Sequence, residues 1–362
     1  MGIASIKIQN FKSIREADIE LTKLNILIGA NGAGKSNFIG FFKFLNKLFE
    51  QNLQLYINQN GRADDFLYFG LKKSNFLAGS IAFDNKWQNQ YVFMMIPDAL
   101  GNLIFAEEKS NFINPESKNK NFSSINNSGT LESFLKNDDG FRNKYLKKHL
   151  TNLKIFHFHD TGFDSKIKQL SSTTDYSLLR EDGSNVAAFL YRLQEANPQN
   201  FKLIERTIQS AAPFFDKFKL QPDEINPQQI FLKWYEKGSN KEFGAHNLSD
   251  GTLRFICLAT LLLQPELPEI IIIDEPELGL HPSAISTLAD MLKIASDKTQ
   301  VIVSTQSVNL VDEFSADDII VVDRKDGQSV FTRQSEEKLK HWLNDYSLGE
   351  LWEKNVLGGR PK

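Results

Sequence analysis

Four residues in the first tenth of the chain have the types and spacing to hold a phosphate. Gly29, Gly34, Lys35 and Ser36 stand in the pattern G-x-x-x-x-G-K-S within IGANGAGKSN. Glycines let successive backbone N–H groups curl around phosphate oxygens, and a helix N-terminus adds partial positive charge. Asn31, Gly32, Ala33, Gly34, Lys35, Ser36 and Asn37 are therefore the expected nucleotide-binding residues. Lys35 is expected to reach the β- and γ-phosphates of ATP, and Ser36 to ligate Mg²⁺. Far downstream, EIIIIDEPELGLHP carries four isoleucines from Ile270 into Asp274 and Glu275. Adjacent acids at the end of such a run have little structural reason, because unpaired buried carboxylates are costly. Asp274 is the expected second metal residue, and Glu275 the group that orients a water towards the γ-phosphate.

These residues need elements to position them. LNILI, Leu24 to Ile28, reads as a short strand, and Phe38, Phe41, Phe42, Leu45, Leu48 and Phe49 fall on one face of a helix running towards Asn60. Strand, glycine loop and helix is the arrangement in which the pattern binds nucleotide. The Ile270–Ile273 run predicts a strand buried on both faces of a parallel sheet. The chain has 362 residues, 41% of them apolar, and a net charge of −3, so it can bury a large core and is not globally basic. A single cysteine, Cys257, excludes an internal disulfide and a cysteine-based zinc site. MGIASIKIQNFKS has no apolar signal core, Ile6 stands where a myristoylation pattern needs Ser or Thr, and no run reaches membrane-spanning length. The expectation is a soluble cytoplasmic protein without a membrane partner.

Residues 3–28 predict three strands, and 77–84, 90–96 and 102–106 a small antiparallel meander. Between the first two strands, Lys12, Ser13 and Arg15 are either nucleotide contacts or a solvated turn. The Asn-, Ser- and Lys-rich stretch from 109 to 129 predicts a flexible exposed loop. A helix over 131–150 ends in Lys144, Lys147, Lys148 and His149, which is either a DNA-facing surface or a solvated face. In LKIFHFHD, His157 and His159 share one strand face with Phe156 and Phe158 on the other. A structural strand is the favoured reading there over metal ligation with Asp160. Residues 185–210 predict one helix, and Phe218–Leu220 and Ile230–Tyr235 strands leading back into the core.

Three further pieces carry a resemblance. NLSDGT (Asn247 to Thr252) resembles the LSGGQ signature of ABC-type ATPases, TQVIVSTQS ends in a switch loop, and IKIQNFKSIREADIEL leads straight into the glycine loop. Together with DEPELGLHP and the closing SLGELWEKNVLGGRP, the chain resembles the RecF, SMC and OLD branch of ABC-type ATPases, over about 1–105 and 185–362. The resemblance implies an α/β fold: a P-loop ATPase head with a mostly parallel core sheet, an antiparallel β subdomain and a helical lobe. It implies one head over 1–362, with its nucleotide core from 1–105 and 245–335. The lobe would be inserted at 106–244, with a C-terminal helix and tail at 336–362. It implies a homodimer, or a higher oligomer, around ATP and Mg²⁺, with Ser249, Asp250 and Gly251 capping the nucleotide of the second subunit. Gly279, Leu280 and His281 would form the D-loop, with His281 where many relatives have Asp. Gln306 stands where relatives carry a switch histidine, and no Q-loop glutamine is recognisable. SMC arms and the Toprim nuclease of OLD proteins are not in this sequence. Stand-alone relatives imply a separately encoded effector, a nuclease, in bacterial anti-phage defence. The alternative is a RecF-like ATPase that binds DNA in its repair or maintenance, and a transporter cassette is more distant.

Overall fold

The computed structural model describes residues 2–113, 120–125, 128–137, 140–150 and 153–360. Its centre is a six-stranded sheet. In spatial order the strands are Gln328–Arg333, Ile319–Lys325, Leu24–Ile28, Gln300–Thr305, Ile270–Asp274 and Leu153–Phe156. All neighbours are parallel except the edge hairpin Ile319–Lys325/Gln328–Arg333. Every residue of Leu24–Ile28 and of Gln300–Thr305 is buried. Their aliphatic composition follows from this, because a parallel sheet is covered on both faces.

Strand alternation divides the interior in two. Leu24, Ile26, Ile28, Ile271, Ile273, Val301 and Val303 face a core shared with the helices Asp250–Leu263 and Pro282–Ser296. Leu27, Ile270, Ile272 and Ile302 face the opposite core, filled by the helix Lys35–Glu50. That second core is aromatic. Phe41 and Phe44 of the helix pack against Phe11, at ring-centroid distances of 5.2 and 5.7 Å. Phe11 belongs to a second six-stranded sheet, antiparallel like the expected meander but larger, because Ile3–Phe11 and Ile14–Glu20 join it at one edge and Lys120–Ser124 at the other. Gly79 of that sheet is packed so closely that a Cβ there would meet Phe93 and Phe41 ring carbons at 2.5 and 2.7 Å.

Several expected boundaries differ. The helix after the glycine loop ends at Glu50, where Gln51 turns left-handed, and Leu53–Gln59 is a separate helix. The expected helix over 185–210 is two, Val186–Ala196 and Pro198–Ala211. Pro198 lacks the N–H to continue the first and fits the first turn of the second. The flexible loop expected at 109–129 instead begins as strand: Leu103–Ile113 pairs with Gln90–Pro97, and Lys120–Ser124 pairs back onto it. The remainder of that loop includes positions outside the described residues. The basic helix is shorter than expected, Phe141–Leu150. Phe215–Lys219, Lys233–Glu236 and Glu242–Gly244 form their own three-stranded sheet rather than joining the central one, while Phe215, Phe218 and Trp234 enter the core as expected. Conversely Leu153–Phe156, within the stretch assigned to an inserted lobe, is an edge strand of the central sheet. Among the described residues no helix is long and apolar enough to cross a membrane.

Candidate nucleotide site

The strand Leu24–Ile28 delivers the glycine loop into a cavity of about 140 Å³, lined by Ala30, Asn31, Gly32, Gly34, Lys35, Ser36, Asn37, Glu275 and Gln306. The glycine requirement is steric. At Gly34, with φ 123°, a Cβ would sit 2.0 Å from Ser329 Oγ; at Gly29 it would sit 2.2 Å from the Val322 carbonyl oxygen. The loop is thus clamped to the edge hairpin from behind while its front faces the cavity. Helix Lys35–Glu50 starts without a side-chain cap, so its first N–H groups are available to an anion. Lys35 is 4% exposed, and its Nζ donates to the carbonyl oxygens of Gly29, at 2.5 Å, and Ala30, at 3.3 Å. Burial lowers its pKa, while Glu275, Asp274 and Glu277 pull it upward.

Behind the loop, Asn37 Nδ2 donates to Ser13 Oγ at 2.7 Å, and Ser13 and Ser329 hydroxyls share a bond of the same length. Ser329 Oγ donates to the Ala33 carbonyl at 2.6 Å. Ser13 therefore supports the loop from the rear, and Lys12 lies over the Phe66 ring, 5.3 Å from its centroid. The C-terminal tail also reaches this point: Ala30 N–H donates to the Gly359 carbonyl at 2.6 Å.

The acids arrive on the neighbouring strands. The Asp274 carboxylate accepts a hydrogen bond from Ser304 Oγ on the adjacent strand. Glu275 has φ 43°, a left-handed conformation rare for a non-glycine residue, and its N–H donates to the Ser304 carbonyl at 2.8 Å. Such conformations persist where the surroundings hold them and gather at functional sites. Gln306 Nε2 donates to the Glu275 carboxylate, so this amide is already bound to the acid beside it.

Glu277 is a supporting residue that motif spacing did not single out. Its Oε1 accepts from Thr305 Oγ1 at 2.6 Å and from Gln306 N–H at 3.1 Å, while Oε2 is buried with no hydrogen-bond partner. Burial raises its pKa, against the hydrogen bonds that lower it. A carboxyl with a raised folded-state pKa binds its proton more tightly when folded. That contribution to stability is complete below the unfolded pKa and is lost as pH rises through the folded one. Glu277→Gln keeps an acceptor for Thr305 and Gln306 without a charge to desolvate. The variant is expected to be more resistant to urea than the parent at pH 8. Its advantage should shrink as pH falls through the carboxyl range, and a midpoint difference independent of pH would contradict the assignment.

The signature residues lie in a different cavity, of about 130 Å³, lined among others by Ser249, Gly251, Gly279, Leu280 and His281. Ser249 caps the helix Asp250–Leu263, its Oγ accepting the Thr252 N–H at 3.2 Å. Asp250 pairs with Lys168 at 3.3 Å. Gly251 tolerates no side chain, since a Cβ would meet the Gly279 carbonyl oxygen at 2.1 Å. His281 caps the following helix through Nδ1, which accepts the Ser283 N–H at 3.3 Å. One residue ties these parts together. Arg254 donates to the carbonyls of Phe158 (3.2 Å), His159 (3.0 Å) and Leu278 (2.8 Å), so the signature helix, the HFHD segment and the D-loop share one guanidinium.

Two sequence readings change here. The strand expected through LKIFHFHD ends at Phe156; Phe158 beyond it is buried, and the structure adds Asp274 rather than Asp160 to His157 and His159. The basic helix is docked at its C-terminal end: Lys148 Nζ lies 3.8 Å from Glu269, and buried His149 is bonded to the same carboxylate. Those groups position the helix beside the Ile270–Asp274 strand, which weakens the charge argument for a DNA-facing surface.

The fold is that of an ABC-type P-loop ATPase head. The head of SMC solved bound to the C-winged helix domain of ScpA superposes with a TM-score of 0.62 at 18% identity, covering 94% of this chain and all of that one. An Smc head with an extended coiled coil, bound to the C-terminal domain of ScpA derived from Pyrococcus furiosus, gives 0.57 at 14% identity, covering 95% and 99%. Residues 24–312 match the family described as "AAA domain, putative AbiEii toxin, Type IV TA system", and the chain belongs to that family. Among curated relatives, the energy-coupling factor transporter ATP-binding protein EcfA of Methanosphaera stadtmanae is 32% identical over 81 residues, 22% of this chain and 28% of that one. The chain spans between 28% and 53% of the length of the curated relatives it matches.

Proposed function

We propose that the chain is an ATP-dependent switch that closes into a dimer around two nucleotides and, in that state, controls a separately encoded effector, a nuclease, in defence against phage. The observation that carries the dimer is the division of the site: the phosphate cavity and the signature cavity share no lining residue. Ser249 and Gly251 would complete the phosphate site of a second copy. The family description supports a toxin-type or defensive role, and the similar SMC heads were solved with ScpA domains docked on them.

The residues fit ATP with Mg²⁺. The loop offers backbone donors and the Lys35 ammonium, Ser36 faces the cavity, and Asp274 stands at the strand end beside it. Ser36 and Asp274 would hold the ion, whose charge would offset the negative charge that grows on the phosphoryl oxygens. Glu275 would orient the attacking water, with Gln306 fixing the Glu275 carboxylate. Lys35 would stabilise the phosphate, and Ser249 would act across the dimer. An amide does not titrate in the working range, so turnover governed by Gln306 would be slow and switch-like.

Affinity capture of the tagged full chain as Glu275→Gln, with ATP and nuclease-treated lysate, tests the effector. A stoichiometric neighbour-encoded protein is expected, with binding that differs in a Ser249→Arg control. Capture lost on nuclease treatment would transfer the reading to a DNA-maintenance ATPase.

A further inference from the structure

The segment after the edge strand Leu153–Phe156 carries two imidazoles to the end of the strand Ile270–Asp274. His157, His159 and Asp274 each offer a ligand atom, and these atoms lie within 4.8 Å of one another. Three features suit them to a metal rather than to mere proximity. At the end of the strand and just past it, Phe156 and Phe158 are buried while His157 and His159 between and beside them are only half-buried, so packing of the two rings holds the segment that carries both imidazoles. His159 Nε2 lies 2.9 Å from the Asp274 carbonyl oxygen, which can only accept; the ring donates there and, when neutral, carries its lone pair on Nδ1. A ligating histidine ordinarily has its other nitrogen anchored in this way. The Asp274 carboxylate is oriented by Ser304 Oγ in turn, so two of the three groups are already held by hydrogen bonds.

We propose that His157, His159 and Asp274 form a binding site for a divalent transition ion of the zinc and cobalt class. Two imidazoles and one carboxylate leave coordination positions open for water or a phosphate oxygen, and nitrogen donors favour such ions over Mg²⁺. The site shares Asp274 with the nucleotide reading but does not rest on it, because its three donors come from two adjacent strand ends and need no ATP. An ion bound there draws on the same carboxylate that the ATP-associated Mg²⁺ would use. Occupancy would therefore couple the nucleotide site to transition-metal supply.

The test uses nucleotide-free full-length protein. Titration with Co²⁺ is expected to give a saturable visible absorption band at one ion per chain. Affinity should fall about 10-fold or more in His157→Ala and in His159→Ala, and should not fall in Lys35→Ala, which removes a cation near Asp274 but no metal donor. Exposed His246→Ala is the control. X-ray absorption of the parent protein with one equivalent of Zn²⁺ does not depend on any variant folding. It should show scattering from two imidazole rings. No saturable binding, parental affinity in either histidine variant, or a shell without imidazole would each overturn the proposal. Retained metal binding in a protein that fails to bind ATP would sink the nucleotide reading and leave this one standing.

Discussion

Glu275→Gln is expected to lower steady-state ATP hydrolysis by about 10²–10⁴-fold, the usual contribution of a positioned general base, while ATP binding stays near that of the parent. The substitution is nearly isosteric, so the left-handed backbone at φ 43° and the N–H bond to the Ser304 carbonyl remain possible. What changes is the acceptor aimed at the cavity. A glutamine cannot take a proton from water, and its amide must compete with the Gln306 amide that now donates to the carboxylate. Single-turnover hydrolysis and fluorescent-nucleotide binding separate the two effects. A parallel loss of binding would mean that Glu275 holds the structure rather than the water.

The second large effect concerns sites shared between copies. Lys35→Ala and Ser249→Arg are each expected to be inactive alone, for different reasons. The first removes the amine that faces the phosphate cavity, and the second blocks the face that would cover a partner's nucleotide. Mixed together they should regain hydrolysis. A two-fold dimer of the two variants has one site with both faces intact and one with neither. Only mixed dimers hold an intact site, one of their two, so recovery of a clear fraction of parental activity, below about half, is expected. No recovery on mixing would mean that each chain hydrolyses with its own residues.

The parts of this architecture that repeat a simple physical pattern were readable before the structure. Ile270–Ile273 and Leu24–Ile28 are aliphatic because both faces of the sheet are covered, and the glycine loop is spaced by the cradle it must form. Residues whose role comes from a neighbour distant in sequence were not. Arg254 reads as one polar position on an apolar helix, yet it binds carbonyls 96, 95 and 24 residues away. Glu277 looked like part of a motif and turned out to hold the switch loop through Thr305 and Gln306. His159 seemed a strand residue because the partner that gives it meaning, Asp274, lies 115 positions on. The strand Leu103–Ile113 is not legible in the sequence beyond residue 106, because Glu107, Lys109 and Ser110 carry little β signal. Its pairing with Gln90–Pro97 supplies the order that composition does not. Pro198 is a local signal of the break between Val186–Ala196 and Pro198–Ala211, since a proline inside a helical pattern ends the preceding helix.

The ATP-closed dimer is the claim on which the rest depends, and sedimentation velocity of full-length Glu275→Gln tests it most directly. With ATP and Mg²⁺ the account predicts a shift from monomer to dimer that is absent without nucleotide and abolished when Ser249→Arg is added to the same chain. A protein that stays monomeric with saturating ATP, or that dimerises equally without it, would contradict the account.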